Sequence, residues 1–242
     1  MDESKGTEVE QPVVLNERDI EIFRLIHEHR YAAHSHLKMA FWTDNSEEAN
    51  ACYRRIEKLT RAEYLRKGYS RKKNLNLYLL TEKGLDELRR RNLDAGMRLY
   101  AEGPYFDRYI DHDLKVMTVR LIFGLMGLKE WTGERSLKER GGLNRVPDGI
   151  LSIHGRKIAI EFENYITKGR KRYTDLFDFY KSSPEYDLVF MILDGDTKDW
   201  LVGLEYDAQQ LWFITYEDFI QKREEALLEN KRASFVLNRI LP

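Results

Sequence analysis

Apolar positions recur at helical spacing near the start of the chain, at Ile22, Phe23 and Ile26 and again at Cys52, Ile56 and Leu59. The first set predicts a helix that opens in Leu15-Asn-Glu-Arg-Asp19, with Asn16 as cap and Asp19 standing in for the capping-box acid. A short helix over about 34–42 follows, for which Leu37, Met39 and Phe41 are packing positions. Thr43-Asp-Asn-Ser46 then provides a turn and a cap, and Glu47 and Glu48 suit the positive end of a third helix. Around Tyr64 the pattern changes. Tyr64–Tyr69 and Leu75–Leu80 predict two strands about a basic tip, Ser70-Arg-Lys-Lys-Asn74, and Thr81 caps a helix running through Leu85 and Leu88.

Residues 93–104 hold two glycines and a proline with weak periodicity, so the chain is expected to divide there. The expected organisation is a disordered tail over 1–14, a first domain over 15–92, a linker over 93–104 and a second domain over 105–242. In the second domain Ile110, Leu114, Met117, Leu121 and Leu125 follow at three- or four-residue steps and predict a long helix over 105–126. A strand is expected around 129–137, a hairpin over 146–164, a charged helix over 167–180 and a central strand over Asp187–Leu193. A strand over 211–215 and a helix over 216–230 complete the pattern.

Composition narrows the function classes. The 242 residues carry a formal net charge of -1, so affinity for nucleic acid must come from local clustering. One cysteine, Cys52, rules out an internal disulfide and any multi-cysteine zinc site, and the six histidines show no HExxH or comparable spacing. The first residues are acidic and polar, and the longest apolar run, Val116–Leu128, is broken by Arg120. A cytoplasmic protein with no membrane partner is therefore expected.

Charge is concentrated in one stretch. From Arg54 to Lys73 there are nine basic residues against two acids, Glu57 and Glu63. Three helices, a two-stranded hairpin and a further helix resemble the element order of a winged helix-turn-helix, and the basic residues fall on its third helix and its wing. Double-stranded DNA is the partner this implies. Asn50 and Arg54 would read base edges in the major groove, while Arg55, Lys58, Arg71, Lys72 and Lys73 would meet backbone phosphates. Winged helices often read two half-sites, so a homodimer is compatible, with Leu227-Leu228 and Phe235-Val-Leu as contacts or as the end of the core.

The hairpin gathers acids. With His154-Gly155 as a two-residue loop, Ile153 pairs with Arg156, Ser152 with Lys157, Leu151 with Ile158 and Ile150 with Ala159, and Asp148 then lies opposite Glu161. Glu163 shares the face of Glu161, while Ile158, Ile160 and Phe162 cover the other. Like charges so placed need open water or a cation, and Mg2+ favours carboxylate oxygen. His112 and Asp113 of the long helix lie within reach of the same cluster if the helix leans that way.

Val146-Pro-Asp-Gly followed by Ile158-Ala-Ile-Glu-Phe-Glu resembles the PD-(D/E)XK nuclease-like core, whose αβββαβ order matches the predicted elements. The fold class expected is thus α+β, a winged helix-turn-helix followed by an α/β PD-(D/E)XK nuclease-like domain. The resemblance implies Asp148 and Glu161 as metal ligands and Asp148, Glu161 and Glu163 as catalytic acids. Glu163 departs from the family by replacing its lysine, a role that Lys168 or Lys171 would take from the next helix. The His-x-Leu-x-Val pattern at His112, Leu114 and Val116, the Pro-Asp strand, the acid-x-acid strand and a helix ending in Tyr also resemble the bacterial plasmid replication-relaxation family. That resemblance implies DNA binding in support of plasmid mobilisation or replication, without implying cleavage. A Mg2+-dependent endonuclease and a winged-helix transcriptional regulator are the alternatives.

Overall fold

The computed structural model describes residues 13–42, 46–101, 106–164, 169–195, 198–204 and 209–240. The tail over 1–12, the turn over 43–45, the end of the linker with Tyr105 (102–105) and Lys168 lie outside them. The protein is mixed α+β, with two sheets among the described residues. It divides into two compact units, the first ending at Asp94, within the 93–104 stretch.

The first unit is built from α1 (Glu17–His29), β1 (Ala32–Ala33), α2 (His34–Phe41), α3 (Ser46–Arg61), β2 (Leu65–Ser70), β3 (Leu75–Leu80) and α4 (Glu82–Arg89). α1 starts in a reciprocal capping box, with the Asn16 N–H donating to Asp19 Oδ2 at 2.8 Å and the Asp19 N–H donating to Asn16 Oδ1 at 3.1 Å. Ile22, Phe23 and Ile26 are buried, as are Cys52, Ile56 and Leu59 of α3 and Leu85 and Leu88 of α4. In α2 only part of the expected stripe faces inward. Leu37 is buried, but Met39 is exposed and His36 lies inside instead. β3 lies between β1 and β2 in a three-stranded sheet. Thr81 caps α4, its Oγ accepting the Gly84 N–H at 3.2 Å.

The second unit opens with α5 (Phe106–Leu125), β4 (Trp131–Gly133), α6 (Glu134–Arg140), β5 (Gly149–Ile153), β6 (Arg156–Glu163), α7 (Arg170–Ser182) and β7 (Leu188–Leu193). It continues with α8 (Lys198–Gly203), β8 (Leu211–Thr215), α9 (Tyr216–Lys222), β9 (Leu227–Glu229) and β10 (Ser234–Val236). The seven strands run in the order β10-β9-β8-β7-β6-β5-β4. β6, β7 and β8 are mutually parallel, while β4, β5 and β6 pair antiparallel. β7 is central and almost wholly buried, which its unbroken apolar run requires.

Alternation along β6 sorts its side chains between two cores. Ile158, Ile160 and Phe162 pack with Val116, Val119, Ile122 and Phe123 of α5, whereas Ala159 packs with Leu176, Phe177 and Tyr180 of α7. Ile110, Leu114 and Met117 are buried as expected, but Leu125 is 55% exposed. α5 is apolar on more than one face, so three- and four-residue spacing found Ile110, Leu114 and Met117 but not the stripe of Val116, Val119, Ile122 and Phe123 that meets the sheet.

Two expected elements end early. The strand expected over 129–137 stops at Gly133, which caps α6. Glu134 opens that helix and Lys138 and Arg140 close it, in the sense the helix dipole favours. The helix expected over 216–230 ends at Lys222, and Arg223 turns to φ 50°. Leu227 and Leu228 then form β9, which sends Leu228 into the core and leaves Leu227 exposed. Leu228 and Leu237 therefore complete the core, and the segment expected to offer Leu227-Leu228 on a helix is a strand.

Among the described residues no helix is long and apolar enough to cross a membrane.

Candidate functional site

In the first unit, the burial of Cys52, Ile56 and Leu59 turns Asn50, Tyr53, Arg54, Lys58 and Arg61 outward, and all five are exposed. Tyr53, Arg54, Glu57, Lys58 and Arg61 line an open depression of about 480 Å³. Glu57, its acid, is held by Lys67 at 2.6 Å, and among the described residues no acid is paired with Arg54, Lys58 or Arg61.

Arg55 has a different place. Its Nε donates to Asp19 Oδ1 at 2.8 Å and a terminal nitrogen donates to the Val14 carbonyl at 2.9 Å, which commits it to α1 rather than to phosphate. Asp19 is fully buried, so burial of this acid depends on the pair. On the basic tip Arg71 and Lys72 are exposed. Lys73 instead pairs with Asp111, within the second unit to which residues 70–75 belong.

The carboxylates of the second unit sit where β5 and β6 begin and end. His154 and Gly155 turn at φ 50° and 78°, both left-handed, as a two-residue loop that follows strand twist requires. The ladder runs Ile153↔Arg156, Ser152↔Lys157, Leu151↔Ile158, Ile150↔Ala159 and Gly149↔Ile160. Asp148, one residue before the strand, accepts the Phe162 N–H at 2.8 Å on Oδ2.

Each acid has its own protein partner. His112 places Nε2 3.3 Å from Asp148 Oδ2 and 3.2 Å from the Phe162 carbonyl, while its Nδ1 is 3.4 Å from Asp113 Oδ1. Burial alone would lower the imidazole pKa, but Asp148 and Asp113 outweigh it and push it up to about 11, so the ring is an imidazolium. The Tyr180 hydroxyl donates to Glu161 Oε1 at 2.5 Å, with Arg145 Nε 3.6 Å away. Burial, and then the charge of Asp148, raise the Glu161 carboxyl to about 8. Glu163 accepts from Arg172 at 3.2 Å, and burial holds its carboxyl above the ordinary range despite that cation. Tyr173 is buried beside it, and burial with the Glu163 charge pushes its phenol up to about 12.

The cation expected from α7 is therefore displaced by one position. Lys171 is 87% exposed and pairs with Asp175 of its own helix at 2.8 Å, whereas Arg172 turns to Glu163. Tyr173, Leu176, Phe177 and Tyr180 form the buried stripe of α7, and that stripe was a legible signal for Tyr180. Arg145 lies in an aperiodic loop and is not among the site residues expected from the sequence; closeness in sequence to Pro147-Asp148 is the only signal it carries. Among the described residues no three His, Cys, Asp or Glu side chains are grouped to hold a metal ion. Asp148 and Glu161, the expected ligands, are turned to different donors.

Comparison of the chain with protein-family models, with curated proteins and with solved structures finds no match.

Proposed function

We propose that the protein binds duplex DNA, with its first unit acting as a winged helix-turn-helix and α3 as the recognition helix. The observation that carries this reading is the outward face of α3, where Asn50, Arg54, Lys58 and Arg61 share one exposed side with Tyr53. A helix fits the major groove, where Asn and Arg side chains read adenine and guanine edges and Lys side chains neutralise phosphate. Arg71 and Lys72 of the hairpin tip add exposed positive charge. On this reading the second unit is a nuclease-like α/β framework that serves assembly or an accessory step. The DNA transaction would be one such as plasmid mobilisation or replication.

Affinity for duplex DNA measured across a salt series tests the reading. A steep fall of affinity with salt, made shallower by joint replacement of Arg54, Lys58 and Arg61 by Ala, is the expected result. Affinity that ignores salt, or is untouched by the triple replacement, refutes it. Incubation of supercoiled plasmid with the protein and Mg2+ separates binding from cleavage. Nicking that disappears in Asp148→Ala would make the protein an endonuclease instead.

A further inference from the structure

We infer that Arg145, Arg172 and His112 occupy the electrostatic place of a divalent ion in the acid cluster of β5 and β6, so that the second unit is complete without metal.

Mg2+ demands near-octahedral oxygen ligands at ~2.0–2.1 Å, so carboxylates that share it must converge on one point. The three acids here are each engaged by different groups. Asp148 is engaged through Oδ2 by the Phe162 N–H and His112, Glu161 through Oε1 by Tyr180 with Arg145 beside it, and Glu163 through Oε1 by Arg172. Glu161 and Glu163 share one face of β6, yet Glu161 lies beside Arg145 and Glu163 beside Arg172, so each meets its own guanidinium.

The cations come from three separate elements. His112 belongs to α5, Arg145 to the loop before β5 and Arg172 to the first turn of α7. They tie those elements to the sheet at the point where acids crowd, and ion pairs between elements do the structural work that a bridging metal does elsewhere. An ion entering the cluster would have to break the 2.5 Å Tyr180–Glu161 bond and displace both guanidinium groups. A buried acid stripped of its partner is costly, and that cost opposes exchange. The inference is independent of the DNA reading, since it concerns how the second unit is held together.

Thermal unfolding of the full chain in chelator, in millimolar Mg2+ and in millimolar Mn2+ tests it, alongside the double variant Arg145→Ala/Arg172→Ala. The wild type is expected to unfold at the same temperature in all three buffers. The double variant is expected to be less stable in chelator and to regain stability with Mn2+, because its acids have lost their internal cations. A wild-type midpoint that rises with Mn2+, with the rise abolished in Asp148→Ala, overturns the inference. So does a folded double variant indifferent to metal. If the double variant does not fold, Arg172→Gln is read in the same way.

Discussion

Arg55 lies against Asp19, its Nε 2.8 Å from Oδ1, and so joins α3 to the capping box of α1 instead of facing outward with its sequence neighbour Arg54. The bond to Asp19 raises the guanidinium pKa further, burial notwithstanding. One carboxylate thus caps a helix and anchors a second one.

Arg55→Ala leaves a fully buried carboxylate without its cation and is expected to cost about 3–5 kcal/mol of stability in the first unit. Chemical denaturation reads the loss. Below the unfolding transition the salt dependence of DNA affinity should match that of the wild type, because Arg55 meets no phosphate. A shallower salt slope would return Arg55 to the DNA-binding set.

Lys58→Ala should behave in the opposite way. Removal of one exposed phosphate contact is expected to reduce the slope of log affinity against log salt by about 0.9, with stability changed by less than roughly 0.5 kcal/mol. Titrations at several salt concentrations measure both intercept and slope.

Gly149 is fixed by the Trp131 ring. A Cβ there would lie 2.1 Å from Trp131 Cζ2, too close for contact without movement of the indole. Gly149→Ala is expected to destabilise the β4–β5 pairing by about 1–3 kcal/mol. Part of that loss should return when Trp131 is also replaced by Leu, read as the denaturant midpoint of the single and double variants.

His112 makes the stability of the second unit depend on pH. Its folded pKa is raised from 6.5 to about 11, so its contribution is complete below 6.5 and is lost as pH rises through the interval to about 11. Glu161, raised from 4.5 to about 8, also favours the protonated folded form and weakens stability as pH climbs between those values. Subtracting the stability of His112→Gln from that of the wild type isolates the imidazole. The difference should be largest at pH 6.5 and below and should shrink toward pH 11. A difference that grows with pH would mean that the ring is neutral in the folded protein.

Tyr180→Phe removes the donor to a buried carboxylate and is expected to cost about 1–3 kcal/mol. In the background of Glu161→Gln the same replacement should cost less, and a double-mutant cycle over the two positions gives the coupling directly.

The sequence by itself determined what depends on near neighbours. Asn16 and Asp19 specified the start of α1, and the left-handed turn at His154-Gly155 with strict alternation specified which residues of β5 and β6 oppose each other. The three-residue and four-residue steps through Cys52, Ile56 and Leu59 specified the outward face of α3. Tertiary structure decided which partner each charge takes. Periodicity sets Arg55 and Arg172 at the flanks of the buried stripes of their helices, with Arg54 and Lys171 opposite, but the acids that draw the first two inward, Asp19 at 36 positions away and Glu163 at nine, come from other elements. His112 reaches the Phe162 carbonyl across 50 positions. Leu227-Leu228 becomes strand because it can pair with Phe235 and Val236 at the sheet's edge. Periodicity records which way a side chain points along its own element, whereas the favoured ion pair or strand partner depends on elements brought together from distant parts of the chain.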